Sequence, residues 1–278
     1  MKNSRAKDKK RSVFKLLIIL LSAVVFLLIA CDKRMITRYY TVKSDKIDKP
    51  VRFAVIADLH CCSYGSKQSE LINEIAKNKP DAILLSGDIK DDILPDKSVK
   101  YLLDGISSSY PCYYVTGNHE IANGVEQSKE LFLSYDIDVL EGDCETVELN
   151  GQRIQICGTD DPLVSEYIFN SQLKNAAQQI DPEVFSVLLA HRPERISNYL
   201  NYDFDLIVSG HAHGGQWRIP YILNGLYAPN QGLFPKYAGG LYEHGATVHI
   251  VSRGLDKHNP VPRVFNRPEL VIIDIVPE

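Results

Sequence analysis

Surplus positive charge is the first thing this 278-residue chain lacks: its formal net charge is −4 and its isoelectric point lies near 6.1. Much of the positive charge it has crowds the extreme N-terminus, at Lys2, Arg5, Lys7, Lys9, Lys10, Arg11 and Lys15, with only Asp8 against it. The rest of the chain is therefore acidic, which removes the electrostatic footprint of a nucleic-acid binder and the counterion release that would drive such binding. Regular cysteine spacing is missing too. Of six cysteines, Cys31 lies at the end of an apolar run and Cys61 and Cys62 are neighbours. The odd remainder forms no disulfide framework and reads as small apolar residues. The body shows no internal repeat and no low-complexity segment, which excludes a solenoid.

A polar face is absent from one stretch. From Leu16 to Ala30 every residue is apolar except Ser22, and Val13 and Phe14 extend the run past Lys15. A helix at the surface of a soluble core would show a polar side. The run is therefore expected to be a single-pass membrane anchor or a signal, short for a span but lengthened by snorkelling of Lys15. The basic tail then stays in the cytoplasm and the body faces the other side. Leu28-Ile29-Ala30-Cys31 resembles the lipobox of bacterial lipoproteins, so a lipidated Cys31 is the competing reading. Residues 1–31 are thus a basic tail plus anchor or lipoprotein signal, and 32–50 a linker with an edge strand at Tyr39 to Val42.

From residue 51 to 278 the pattern is that of an α/β domain. Val51 to Ala57 reads as a buried strand running into Asp58-Leu59-His60. Ser66 to Lys77 has helical periodicity. Asp81 to Leu85 is a strand ending in Ser86-Gly87-Asp88. A helix near Val99 to Ile106 precedes strand Cys112 to Val115, which ends in Thr116-Gly117-Asn118-His119-Glu120. Alternation at this spacing implies right-handed crossovers, a largely parallel core, and a site beyond the carboxyl ends of the strands. Asn123 to Leu140 gives a helix and a short strand. Thr146 to Leu149 and Arg153 to Cys157, joined by Asn150-Gly151, predict a β-hairpin, and Val164 to Ala177 a helix. Strand Val184 to Leu189 ends in Ala190-His191, and the run Phe204 to Val208 ends in Ser209-Gly210-His211-Ala212-His213-Gly214-Gly215-Gln216. Trp217 to Tyr242 lacks periodicity and reads as a long ordered loop over a site. Ala246 to Val251 and Leu270 to Val276 are closing strands, making the second half the more antiparallel one.

Five of the eight histidines fall at strand tips beside glycine or in short polar turns, where core histidines would be scattered through apolar runs. The ordered set Asp58-Leu59-His60, Gly87-Asp88-Ile89-Lys90-Asp91, Gly117-Asn118-His119-Glu120, His191 and Gly210-His211-Ala212-His213 resembles the calcineurin-like metallophosphoesterase superfamily over roughly residues 51 to 255. Gly-Gly-Gln after His213, with Ser252-Arg253-Gly254-Leu255, is similar to its membrane-anchored bacterial branch. The resemblance implies a four-layer αββα sandwich and two divalent metal ions. Asp58, His60 and His213 would hold one, Asn118, His191 and His211 the other, with Asp88 shared. Carboxylate, imidazole and amide donors suit Mn, Fe, Zn or Ni without choosing among them. The absence of cysteine from the set speaks against a structural zinc site.

In that family two ions carry a bridging hydroxide for in-line attack on phosphorus. His119, beside a ligand but not one itself, is implied as general acid, with Asp91 orienting its ring. Where the phosphoprotein phosphatases of the superfamily carry an arginine after the second Asp, this chain has Asp92, which repels a dianionic monoester more than a monoanionic diester. Arg192 and Arg253 are candidate substitutes for that charge. Trp217, Tyr221, Tyr227, Phe234 and Tyr237 are candidate pocket walls for an acyl chain or base. The expectation is a membrane-tethered, extracytoplasmic phosphodiesterase acting on lipid or cell-wall esters. The alternatives are a lipid-linked pyrophosphate hydrolase and a non-catalytic metal-binding surface protein.

Overall fold

The computed structural model describes the backbone of residues 2–278 and the side chains from Arg11 onward, apart from Ser12 and Val13. The side chains of the basic tail before Arg11, and that of Val13, lie outside the described residues. Among the described residues fourteen strands follow one long helix, α1 (Lys2–Ala30). The first sheet takes β1 (Ile36–Ser44), β2 (Val51–Ile56), β3 (Ala82–Ser86), β4 (Cys112–Val115) and β5 (Asp138–Val139). The second takes β6 (Cys144–Leu149), β7 (Gln152–Gly158), β8 (Phe185–Leu189) and β9 (Leu206–Ser209). A two-stranded ribbon, β10 (Tyr227–Ala228) and β11 (Gly232–Leu233), stands apart. Then β12 (Gly240–His244) and β13 (Thr247–Val251) join the second sheet, and β14 (Glu269–Pro277) returns to the first.

The sheet orders are β1-β14-β2-β3-β4-β5 and β12-β13-β9-β8-β7-β6. In each, the central strands are parallel: β2, β3, β4 and β5 in the first, β7, β8, β9 and β13 in the second. Within the two sheets antiparallel pairing is confined to β14 on β2, β6 on β7, and β12 on β13. The second half is thus only slightly the more antiparallel, because the last closing strand belongs to the first sheet. There β14 lies between β2 and β1, and β1 is longer than the Tyr39–Val42 piece, pairing in parallel from Ile36 to Ser44.

Three cores separate the layers. Between the sheets lie Phe53, Val55, Leu84, Val115, Ile156, Val187, Leu189, Val208 and Ile273. Outside the first sheet, α2 (Ser69–Asn78) and α3 (Lys97–Ile106) bury Leu71, Ile75, Leu102 and Ile106 on Ile56, Leu85 and Tyr114. The short α4 (Asn118–Ala122) follows β4, and α5 (Val125–Leu133) adds Phe132, stacked on Tyr114 at 3.7 Å. Outside the second sheet, α6 (Glu166–Gln178) and α7 (Ile196–Tyr199) contribute Phe169, Leu173 and Tyr199. The order is helix, sheet, sheet, helix. With both faces covered, β3, β4, β8 and β9 are buried at every position, which is why they read as unbroken apolar runs. Each fully buried Leu, Val, Ile or Phe adds roughly 1.5–3 kcal/mol over exposure.

Two expectations change. Cys144 and Cys157 face each other across the β6–β7 hairpin and form a disulfide, although the cysteine pattern announces no framework. A single cross-strand pair needs only register, which spacing does not reveal. The spanning anchor is not found: among the described residues no helix is long and apolar enough to cross a membrane. At 1.5 Å per residue the run Leu16 to Ala30 covers about 22 Å, against about 30 Å of hydrocarbon. Its described side chains are nonetheless bare, from Phe14 at 63% exposure to Ile29 at 62%. The helix touches the body at its end, where Phe26 meets Phe265 edge-on.

His249 on β13 is fully buried and its Nε2 lies 3.1 Å from the Ser209 hydroxyl. Burial and then neighbouring His244 push its pKa down to about 3. An unfolded chain takes up that proton near the ordinary value of about 6.5, so this site's contribution is whole above that pH and is lost as pH falls toward 3. Urea titrations between pH 7 and 4 should therefore show a smaller loss of stability for His249→Phe than for the unaltered protein. An equal loss would mean that His249 is protonated in the fold.

Candidate metal centre

The parallel strands of both sheets end on the same edge of the sandwich, and the chain turns there five times. Asp58 and His60 follow β2, Asp88 follows β3, Asn118 and His119 follow β4, His191 follows β8, and His211 and His213 follow β9. The turns are laced together by backbone. Asp58 N–H donates to Gly87 O (3.0 Å), His60 N–H to Asp88 O (3.0 Å), and Gly210 N–H to His191 O (3.0 Å). Close approach needs missing side chains. A Cβ on Gly117 would stand 2.2 Å from Asp88 Oδ1, and one on Gly254, where φ is +72°, would stand 2.6 Å from Asp58 Cβ.

Donor atoms of Asp58, His60 and His213 come within 4.8 Å of one another, and so do those of Asp88, His191 and His211. His60 joins Asp88 and His119 in a third such group, linking the halves. Asp58 and Asp88 are buried to within 1%. Burial pushes the Asp58 carboxyl up to about 6. Burial opposes the charge of Asp88 too, but His191, with Nε2 3.1 Å away, outweighs it and holds Asp88 well below the usual range. His211 N–H reaches both Asp58 oxygens, at 2.9 and 3.1 Å.

Tautomers follow from the outer contacts. His191 Nδ1 donates to Ser86 O at 2.8 Å, which leaves Nε2 as the nitrogen turned to the Asp88 carboxylate. His211 Nε2 donates to Asn230 Oδ1 at 2.8 Å, leaving Nδ1. His60 Nε2 and Asn118 Oδ1 are buried with no hydrogen-bond partner. Buried lone pairs without donors are costly, on the order of 1–3 kcal/mol each, and cations would relieve them. The donor set therefore fits divalent metal ions, held by nitrogen and oxygen.

Three readings change on geometry. Asp91 does not orient His119; its Oδ2 faces His60 Nδ1 at 3.6 Å, while Asp92 Oδ1 meets His119 Nδ1 at 2.6 Å. The turn at Asp91, whose Oδ1 accepts from Ile93 and Leu94 N–H, rotates it inward and its neighbour toward the acid. Arg192 and Arg253 are occupied elsewhere, by Asp161 at 2.7 Å and by Glu269 at 2.6 Å. The aromatics of the long loop do not wall the cleft beside His119, of about 500 Å³, which His60, Asp91, Asp92, Ile93, His119 and Asp256 help to line. Leu226 N–H pairs back to Gly215 O, turning the loop aside; only Asn230 returns to the centre.

Several residues carry structure that the motifs do not announce. Glu120, buried, accepts from the backbone N–H of Asp88 (3.0 Å), Lys90 (2.9 Å) and Gly117 (2.8 Å), fastening the β3 and β4 turns together. Asp256 Oδ2 lies 3.9 Å and Arg263 Nη2 3.5 Å from His213 Nδ1, and Asn266 donates to His213 O. Asn230 and Arg263 sit in aperiodic segments with no sequence signal; Glu120 is visible only as the fourth letter of its motif. Glu120→Ala strands two buried amides and a part-buried one, so a loss of about 3 kcal/mol in unfolding free energy is expected, with Glu120→Gln recovering part of it. An Ala variant as stable as the parent would show that the amides find other partners.

Comparison with known proteins bears on this geometry. An uncharacterized metallophosphoesterase of Helicobacter pylori J99 is 28% identical over 240 residues, covering 84% of this chain; the chain spans only 62% of that relative's length. The phosphodiesterase YaeI of Escherichia coli is 27% identical over 237 residues, 82% of this chain and 83% of that one. The solved structure of the Haemophilus influenzae NAD nucleotidase shares the fold with a TM-score of 0.52 at 17% identity, over 74% of this chain and 46% of the other. The calcineurin-like phosphoesterase profile matches residues 51–215, the stretch that holds every turn of the centre, and on that match the chain belongs to the calcineurin-like metallophosphoesterase family.

Proposed function

We propose that the protein is a two-metal phosphodiesterase held at a membrane with its body outside the cytoplasm. The observation that carries the chemistry is the convergence of Asp58, His60, Asp88, Asn118, His191, His211 and His213 on one edge, with unpartnered donor atoms buried among them. Asp58, His60 and His213 would hold one ion, and Asn118, His191 and His211 the other, with Asp88 between. Bound divalent ions supply Lewis acidity at phosphorus and make water a nucleophile near neutral pH.

The chain's own part is positioning and proton transfer. His119 stands at the cleft, 31% of its side chain exposed, with Nδ1 engaged by Asp92, so proton delivery to a leaving alkoxide falls to Nε2. Asp92 fixes the ring by its 2.6 Å contact with Nδ1, the orienting role assigned to Asp91 on resemblance. Asp91 instead steadies His60. The diester preference rests on charge. The cleft lining includes Asp91, Asp92 and Asp256 and neither lysine nor arginine, and Arg192 and Arg253 are tied to carboxylates. These carboxylates repel a dianionic monoester more than a monoanionic diester. The name of the E. coli relative, a phosphodiesterase, agrees.

Attachment is supported by the bare apolar side of α1 between Leu16 and Ile29, through insertion of that helix or a lipid on Cys31. The Cys144–Cys157 disulfide supports an oxidising compartment. Lipid or cell-wall diesters are then the substrates within reach.

Initial rates on matched chromogenic mono- and diesters with Mn²⁺ test the substrate class. Faster diester cleavage is expected, abolished by chelator and restored by metal; faster monoester cleavage would refute the charge argument. The two acids should separate in kinetics. Asp92→Asn and His119→Ala should lower kcat, the latter by about 10²–10⁴, with metal demand unchanged. Asp91→Asn should raise the metal concentration for half-maximal rate by about 10- to 100-fold. Reversed effects would return the orienting role to Asp91.

A further inference from the structure

Away from the metal cleft, where α1 joins the body, the surface changes character. Two adjoining cavities of about 440 and 490 Å³ share Arg38, Pro220, Arg253 and Phe265 as walls. The first also takes Arg34, Arg267 and the α1 residues Leu28 and Ile29; the second takes Arg218 and the loop from Ile219 to Asn224. Five guanidinium groups gather here against two carboxylates. Glu269 serves Arg253 at 2.5 Å and Arg38 at only 3.8 Å, and Asp32 serves Arg34 at 2.8 Å and Arg267 at 3.3 Å. Arg218 has no carboxylate partner among the described residues; it donates to Gly214 O and Asn224 Oδ1. Such an excess stands out in a chain of net charge −4.

Beside the arginines the loop is bare and apolar. Tyr221 is fully exposed and Ile222 is 82% exposed, and Leu28 and Ile29 of α1 stand at 70% and 62% across the shared wall. Cationic groups at the base of projecting apolar side chains match one kind of surface, an anionic bilayer, where phosphates lie just above the acyl chains. A soluble phosphate would leave Tyr221 and Ile222 without a role. We propose that this patch docks on anionic phospholipid, Arg38 and Arg218 taking headgroup phosphates while Tyr221 and Ile222 enter the acyl region. The contact is a second one, apart from α1, and it fixes how the body stands on the membrane. It rests on the membrane attachment proposed above and on no feature of the metal chemistry.

The chain carries its own reporter. Its single tryptophan, Trp217, lies at the start of this loop, 44% exposed, its indole N–H donating to Pro262 O at 3.0 Å. The full-length protein is mixed with vesicles of acyl-brominated phosphatidylcholine, with or without phosphatidylglycerol. Flotation reports attachment, and Trp217 emission reports docking. Expected is flotation with both lipids, and a blue shift with bromine quenching only where phosphatidylglycerol is present. Arg38→Glu with Arg218→Glu should abolish the quenching, and Ile222→Ser, a surface change that the fold tolerates, should reduce it; each arginine alone is worth about fivefold in partition. Flotation without charge-dependent quenching, or equal quenching in both vesicles, overturns the docking proposal and leaves attachment standing. Failure to float overturns both, and turnover of a soluble diester by the same sample is unaffected by either result.

Discussion

Two carboxylates, Asp58 and Asp88, are buried to within 1% where the sheets meet, and their ion-pair partners among the described residues are all histidines. An isolated anion in such a place costs several kcal/mol even after relaxation. The surroundings answer with backbone amides, with His211 N–H on Asp58 and His119 N–H on Asp88 Oδ1, and with imidazoles from the opposite sheet. Those amides and imidazoles exist in the right places only because the parallel strands of both sheets end together. The sandwich and the centre are therefore one requirement: the first sheet supplies the buried anions and the second most of the groups that tolerate them.

That dependence explains what the amino-acid sequence reveals. Strands β3, β4, β8 and β9 read as apolar runs because both their faces are covered, and their polar endings stand out against that background. The centre was legible for the same reason: Asp58, Asp88, Asn118, His191 and His211 each interrupt a strand at its end. Less legible were contacts made by register or by loop path. Cys144 meets Cys157 only through hairpin alignment, and β14 returns to the first sheet rather than closing the second. Asn230 reaches His211 from a segment with no periodicity. The Asp91–Asp92 pair is the sharpest case, since adjacent identical residues are separated by the rotation of one turn, and no pattern of letters encodes it.

Charge is distributed with a similar division. The metal cleft keeps its carboxylates, while two candidate arginines are tied elsewhere, Arg192 to Asp161 and Arg253 to Glu269. The arginine-rich surface lies instead at the junction of α1 and the loop after His213. Gly214 and Gln216 tie the two regions, since Arg218 donates to Gly214 O and Asn266 spans His213 O and Gln216 O. The loop that leaves the metal motif is the same loop that carries the exposed apolar side chains, so the two sites share a stretch of chain without sharing a field.

The turns themselves set an order of events. Asp58, His60, Asp88, His211 and His213 all have positive φ, between 44° and 64°, a conformation that non-glycine residues adopt at a cost on the order of 1 kcal/mol or more each. An isolated loop of this sequence would relax out of those angles, so the donors are not pre-gathered in the nascent chain. Only the completed sandwich, with Glu120 clasping two turns and the glycines admitting their neighbours, holds them in register. Folding then comes before metal: any ion the centre takes meets donors that the sandwich has already set in place.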